Sequence, residues 1–179
     1  MTLNDIRMTK EIMTLKIMTH KRLILLRTGV VMGNGGGIIQ NTIPSFKLGL
    51  GGPISLKGDQ ILNWIHMDDE VGIIKFLLET PEANGIVNAV APEIQTNKQW
   101  AQAFASALGR PCIMFVPTCA MDLAYGSEIA KLVNEGSAIQ PAKLNSLGYT
   151  FKYPEMSGAM KNIAQNSSSL LSEISALLK

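Results

Sequence analysis

Arg27 closes the apolar run Leu23–Leu26 in the stretch LILLRTGVVMGNGGGIIQ. A guanidinium at the carboxyl end of a buried strand sits where open α/β sheets take their ligands. It needs either an ion-pair partner or an anion there. Spacing alone leaves both open, a structural ion pair and a bound phosphate. The glycines that follow invite a pyrophosphate reading, but they miss the pattern. In G-x-G-x-x-G the glycines make the turn, admit the pyrophosphate and let the helix pack closely. Counting from Gly33 and Gly35 puts Ile38 at the third position, and counting from Gly35 and Gly37 puts Gln40 there. No Gly-Lys-Ser/Thr is present either. Ile38-Ile39 soon meets Pro44, Gly49, Gly51, Gly52 and Pro53. The stretch to Pro53 therefore reads as a flexible or substrate-side loop rather than a helix.

WIHMDD places His66 beside Asp68 and Asp69, an arrangement that suits metal or acid–base work. No second His or Cys lies near, and Asp68 is well placed to cap a helix. Capping by Asp68 is the expected role, with His66 packing or hydrogen-bonding at the strand end, and no metal site is expected. Cys112 and Cys119 are too few for a zinc site or a disulfide framework and read as buried free thiols. No serine sits in G-x-S-x-G. Tyr125 is followed four residues later by Ile129, Tyr149 by Tyr153 and Tyr153 by Ser157, so no Tyr-x-x-x-Lys exists.

The elements that position these groups alternate between strand and helix, which points to an α/β sheet with crossovers. The continuous run Leu23–Leu26 with Val30 and Val31 is the mark of a strand covered on both faces. PISLKGDQILNWI suggests a hairpin turning at Lys57-Gly58-Asp59. Asp68, Asp69 and Glu70 open a helix to about Glu79, with Val71, Ile74, Leu77 and Leu78 predicted inward. Ile86 to Val90 is a second buried strand. Thr96 and Gln99 form a capping box for a helix whose inner face is Trp100, Ala103, Phe104, Ala107 and Leu108, stopped at Gly109. A strand at Ile113 to Val116 and helical pieces near Thr118–Tyr125 and Glu128–Asn134 follow. Pro154 starts a helix with Met156, Met160 and Ile163 inward, and SLLSEISALLK forms a separate tail helix through Leu170, Ile174, Leu177 and Leu178. So few strands do not make an independently stable sheet, and an unpaired apolar edge is expected.

Bulk properties narrow the class. The 179 residues are 46% apolar and 17% charged, which suits a globular core and argues against disorder. Residues 1–22 hold five of the basic residues against Asp5 and Glu11, a balance of +3, so the remainder of this +2 chain stands at −1. A nearly neutral body with 6% aromatics gives no nucleic-acid footprint, and no apolar run matches a membrane span. The leader, with its recurrent Met-Thr pairs, reads as a loosely docked segment; a modest amphipathic helix and a mitochondrial presequence are the sharper readings. A cytoplasmic setting is expected.

LLRTGVVMGNGGG, PSFKLGLGGPI, WIHMDD and GIVNAVAP resemble the second half of an extended short-chain dehydrogenase/reductase, in particular its epimerase-family branch. LGRPCIMFVP, LVNEGSAIQPAKLNSLGYTFKYPEM and AMKNI resemble that branch's C-terminal domain of unknown function. The resemblance spans about residues 21–164. It implies the C-terminal portion of a Rossmann-like NAD(P)-binding fold plus a smaller substrate-side domain. The chain then divides into a leader (1–20), late Rossmann elements and substrate loop (21–110), the domain of unknown function (111–164) and a tail helix (165–179). It also implies NADP as cofactor, with Arg27, Thr28, Gly29 and Val30 on the cofactor side, and a largely structural role for His66 and Asp68. No catalytic residue carries over, because the glycine fingerprint and the Tyr-x-x-x-Lys pair belong upstream of Arg27 in that family. Leu62 stands where sugar-nucleotide relatives carry an arginine, which argues against a UDP-sugar. The chain thus reads as the substrate-side half of an NADP-dependent oxidoreductase or epimerase of unknown substrate, inactive alone. It would need a partner subunit or the N-terminal half. The alternative, prompted by the basic leader and apolar tail, is a non-catalytic module that assembles with a complete subunit.

Overall fold

The structure, a computed structural model, describes residues 7–9, 12–19, 22–54, 57–115 and 137–177, with side chains for 22–54, 57–115 and 137–167. Four strands form the main sheet: β1 (Arg7–Thr9), β2 (Ile12–Thr19), β3 (Arg22–Thr28) and, later in the chain, Gly85–Ala89. After β3 come β4 (Val30–Met32), α1 (Gly37–Lys47), β5 (Ile61–Leu62), β6 (Trp64–His66) and α2 (Met67–Glu79). The Gly85–Ala89 strand is β7, followed by β8 (Gln95–Thr96), α3 (Asn97–Ala107), α4 (Ala142–Ser146) and α5 (Met156–Leu177).

The sheet order is β1-β2-β3-β7, with β3 and β7 parallel and β2 antiparallel to β3. The leader is therefore neither a helix nor a loose segment over residues 12–19. IMTLKIMT suits a strand through its Ile and Thr content, and β3 offers it a free edge. That strand also removes the unpaired edge expected of β3. Alternation along β3 sorts its faces. Ile24, Leu26 and Thr28 are buried, while Leu23 and Arg27 are exposed. The run is thus covered on one face, not two, with Ile73 and Leu77 of α2 packed against it.

Several elements depart from the sequence reading for physical reasons. Residues 37–47 form a helix despite Pro44, because Ile39 and Phe46 lie two turns apart and both reach the core. Burial outweighs weak local propensity there. The hairpin at Lys57-Gly58-Asp59 does not form among the described residues. Ile61–Leu62 pairs antiparallel with Gln95–Thr96, and β6 pairs in parallel with β4. The turn itself docks on the start of α3, where the Lys98 and Asn97 amides donate to the Gly58 and Gln60 carbonyls. On α2 the buried stripe is Asp69, Ile73 and Leu77, spaced i, i+4, i+8, whereas Val71 and Leu78 are exposed. Ile113–Phe115 is exposed and not in a strand; Val116, Cys119 and the helical pieces expected at 118–125 and 128–134 lie outside the described residues. The tail helix is not separate: α5 runs unbroken, because nothing between Ile163 and Ser168 would stop it, and side chains from 168 on lie outside the described set.

Other expectations hold. In the capping box the Gln99 amide donates to Thr96 Oγ1 (3.2 Å) and the Thr96 amide to Gln99 Oε1 (2.8 Å). Gly109 ends the helix with φ +64°, a left-handed conformation that suits glycine. Met156, Met160 and Ile163 of α5 pack with Trp64, Trp100, Phe104 and Phe46 into a second core. Arg22 serves a role that sequence did not suggest. Its guanidinium donates to the carbonyls of Leu77 (3.0 Å), Leu78 (2.5 Å) and Thr80, fastening the start of β3 to the carboxyl end of α2.

The buried Asp69 carboxylate ties α2 to the C-terminal segment. It accepts from the amides of Lys152 (2.7 Å) and Tyr153 (2.9 Å) and from the Tyr149 hydroxyl (3.3 Å). Replacing Asp69 by Ala strands two part-buried amides, so D69A is expected to lose about 2 kcal/mol of unfolding free energy in urea titration. A loss within experimental scatter of zero would show that this carboxylate does not hold the segment.

Candidate functional site

The carboxyl ends of β3 and β7 lie side by side, with Arg27 opposite Asn88 and Thr28 opposite Ala89. Partners in a parallel ladder share a face, so Arg27 and Asn88 lie on the same side of the sheet, where Arg27 is exposed and Asn88 half-buried. Arg27 is exposed, and no ion-pair partner meets it among the described residues. Of the two roles that spacing left open for Arg27, the structural ion pair is not found among the described residues. Asn88 Oδ1 is buried and has no hydrogen-bond partner among the described residues. Sequence reasoning passed over Asn88, although it stands at a strand end in GIVNAVAP, the position that makes Arg27 interesting.

Behind this pair the backbone is held tightly. The Gly29 amide donates to Ala89 O (3.0 Å) and the Val30 amide to Asn63 O (2.7 Å). A Cβ on Gly29 would come within 2.8 Å of Asn63 O, so only glycine allows the two segments to approach this closely. The Asn63 side chain then reaches residues 137–139, donating to Ser137 O (2.9 Å) and accepting from the Ile139 amide (3.0 Å). Of the four residues expected on the cofactor side, Arg27 alone presents a free charged side chain; Thr28 is buried, and Gly29 and Val30 contribute backbone.

Thr28 turns inward. Its hydroxyl donates to Glu70 Oε1 (2.9 Å), while Glu70 Oε2 is buried without a hydrogen-bond partner among the described residues. Burial pushes the Glu70 carboxyl up to about 6 from its ordinary 4.5, against the opposing pull of the Thr28 hydroxyl. Glu70 was expected only as part of an acidic first turn.

His66, rather than Asp68, caps α2: its Nδ1 accepts from the Asp68 amide (3.1 Å). The ring lies 4.0 Å from that of Tyr153, and burial holds its pKa below the usual histidine value although Asp68 and Asp69 pull the other way. Asp68 instead meets Lys152 Nζ at 2.6 Å on the surface, and that hydrogen bond holds its carboxyl below the usual range. An exposed pair of this kind adds little stability. Among the described residues no group of His, Cys, Asp and Glu is arranged to hold a metal ion. Cys112 is half-buried rather than buried, with its thiol pushed up by desolvation. No described helix is long and apolar enough to cross a membrane.

Comparison with known proteins bears on this geometry. The profile of a domain of unknown function, DUF1731, matches residues 116–163. The epimerase family protein SDR39U1 of Bos taurus is 40% identical over 143 residues, covering 79% of this chain and 48% of that protein. A chloroplastic homologue from Arabidopsis thaliana is 36% identical over 151 residues, 84% of this chain and 43% of its own length. A crystal structure of the human protein, obtained with NADPH, superposes with TM-score 0.77 at 38% identity, over 80% of this chain and 48% of that one. UDP-glucose 4-epimerase from Thermotoga maritima superposes with TM-score 0.61 at 18% identity over 88% and 47%, a likeness of fold alone. This chain spans about half the length of the curated relatives it matches, and its α/β fold is the C-terminal portion of a Rossmann-like one.

Glu70 supplies a stability test. Its carboxyl binds a proton more tightly in the folded state than in the unfolded one. Its contribution is therefore most favourable below pH 4.5 and is lost as pH rises through about 6. Holding it ionised costs about 2 kcal/mol at neutral pH. E70Q is expected to unfold at higher urea than the parent at pH 7.5 and at equal urea at pH 4. An equal midpoint at both pH values would mean that Glu70 is not strained by its burial.

Proposed function

We propose that this chain, which is similar to the C-terminal half of epimerase-family proteins, forms the substrate-side half of an NADP-dependent oxidoreductase or epimerase. It acts together with a nucleotide-binding half, supplied by a partner subunit or by an N-terminal half of the same protein. The observation that carries this reading is the pairing of Arg27, exposed and without an ion-pair partner among the described residues, with Asn88 at the carboxyl ends of two parallel strands. Ligands of open α/β sheets bind beyond such ends.

These residues fit one end of a dinucleotide. Asn88 Oδ1 offers an acceptor that has no protein partner among the described residues, suited to an amide or hydroxyl donor. Arg27 offers a forked donor to a phosphate oxygen. NADP, when bound, supplies the hydride chemistry. The chain's own residues fix the floor beneath it: Gly29 brings β3 close to Asn63, and Thr28 anchors the strand end on Glu70. The proton donor and the pyrophosphate loop must come from the other half, since these 179 residues contain neither Tyr-x-x-x-Lys nor a complete G-x-G-x-x-G. Leu62, with no donor to offer a diphosphate, turns the substrate class away from sugar nucleotides.

NADPH fluorescence tests the reading on this chain co-expressed with the N-terminal half of the Bos taurus protein. The complex is expected to bind NADPH, and R27A to weaken that binding at least ~10-fold, with R27K restoring little because a point charge lacks the fork. Unchanged affinity in R27A would remove Arg27 from the cofactor site; tight binding by this chain alone would refute the need for a second half.

A further inference from the structure

β3 has two edges, and both are taken. β7 holds one in parallel, and β2 holds the other antiparallel over seven paired positions, from Met13 opposite Thr28 to Thr19 opposite Arg22. A parallel pair belongs to sheets covered on both faces by crossover helices. Here α2 covers one face, while Leu23 and Ile86 stay 40% and 46% exposed on the other. β2 satisfies the edge of β3 but leaves that face bare.

We infer that β2 is a displaceable surrogate, occupying the edge of β3 where the nucleotide-binding half would add its own strand. Closure of the N-terminal hairpin and completion of the site are then mutually exclusive. The inference rests on the function proposed above and names the contact that regulates it. A strand-and-helix unit would supply two things at once, a partner for the β3 edge and a cover for Leu23 and Ile86; the hairpin supplies only the first. The hairpin nevertheless takes the edge first. Two residues of sequence separate β2 from β3, so closing that contact costs little chain entropy, whereas a nucleotide-binding half must reach the same edge from much farther away. β1, only three residues long, leaves a short outer edge that discourages further strand addition.

A reversible lock tests this on the full chain. Lys16 and Leu25 are opposite one another. Antiparallel partners lie about 4.5–5.5 Å apart at Cα, within disulfide reach. K16C/L25C, in a background of C112S and C119S, is compared oxidised and reduced, alongside L15P, which removes a backbone donor from β2. The probe is a purified polypeptide carrying the N-terminal half of the Bos taurus protein. Binding is followed by light scattering, and hydrogen exchange of residues 12–28 by mass spectrometry. The reduced and L15P forms are expected to bind at least ~10-fold more tightly than the oxidised form, with β2 amides losing protection as the complex forms. Equal binding by the oxidised form, or β2 amides still protected in the complex, overturns the inference and leaves the proposed function standing. Failure of every form to bind, L15P included, overturns the proposed function and this inference with it.

Discussion

One buried carboxylate sets the geometry of everything beyond the sheet. Asp69, on the first turn of α2, takes the amides of Lys152 and Tyr153 and the hydroxyl of Tyr149. Those bonds fix where residues 149–153 cross α2. Glu93 Oε2 then accepts the Met156 amide (2.6 Å), which fixes where α5 begins. Only a helix starting there can lay Met156, Met160 and Ile163 against Trp64 and Trp100. The charge is tolerated because its lone pairs are taken by fixed donors, the condition under which burial of a carboxylate costs little. Its neighbour Glu70, with one oxygen served by Thr28 and the other by nothing among the described residues, shows the opposite case.

The two cores divide the work. One lies between the covered sheet face and α2; the other is enclosed by α1, α3 and α5. The site residues sit where neither core reaches, at the carboxyl ends of β3 and β7 on the uncovered face. That position explains why Arg27 can be charged and exposed two residues from Leu25 on one side of a strand whose other side is fully buried.

Features set by local chemistry were readable in the sequence. The capping box at Thr96 and Gln99, the stop at Gly109 and the inward face of α5 each depend on residues within a few positions of one another, and each is found as read. What failed depended on distant partners. Pro44 argued for a loop, but the helix around it exists because Ile39 and Phe46 find Trp100 and Phe104 in a later segment. Asp68 looked like the cap, yet the His66 ring, tilted against Tyr153, accepts from the Asp68 amide and caps the helix instead. Of the candidate site, Arg27 was legible because a charge ending an apolar run breaks a pattern. Asn88 was not, because an asparagine near a strand end is ordinary until its register neighbour is known. The fold family was legible from ordered motifs, whereas the pairing of residues 12–19 with β3 was hidden by an unusual composition that resembles nothing in that family.

Arg22 has a mechanical consequence. Its guanidinium grips the last carbonyls of α2 at the residue where β3 begins. A pull directed along the segment ahead of it would be borne by that fork and passed into the helix, not into the ladder between β3 and β7. The joint behaves like the rivet at the end of a zip: the segment in front can peel away as far as residue 22, and the tear stops there with the parallel pair intact.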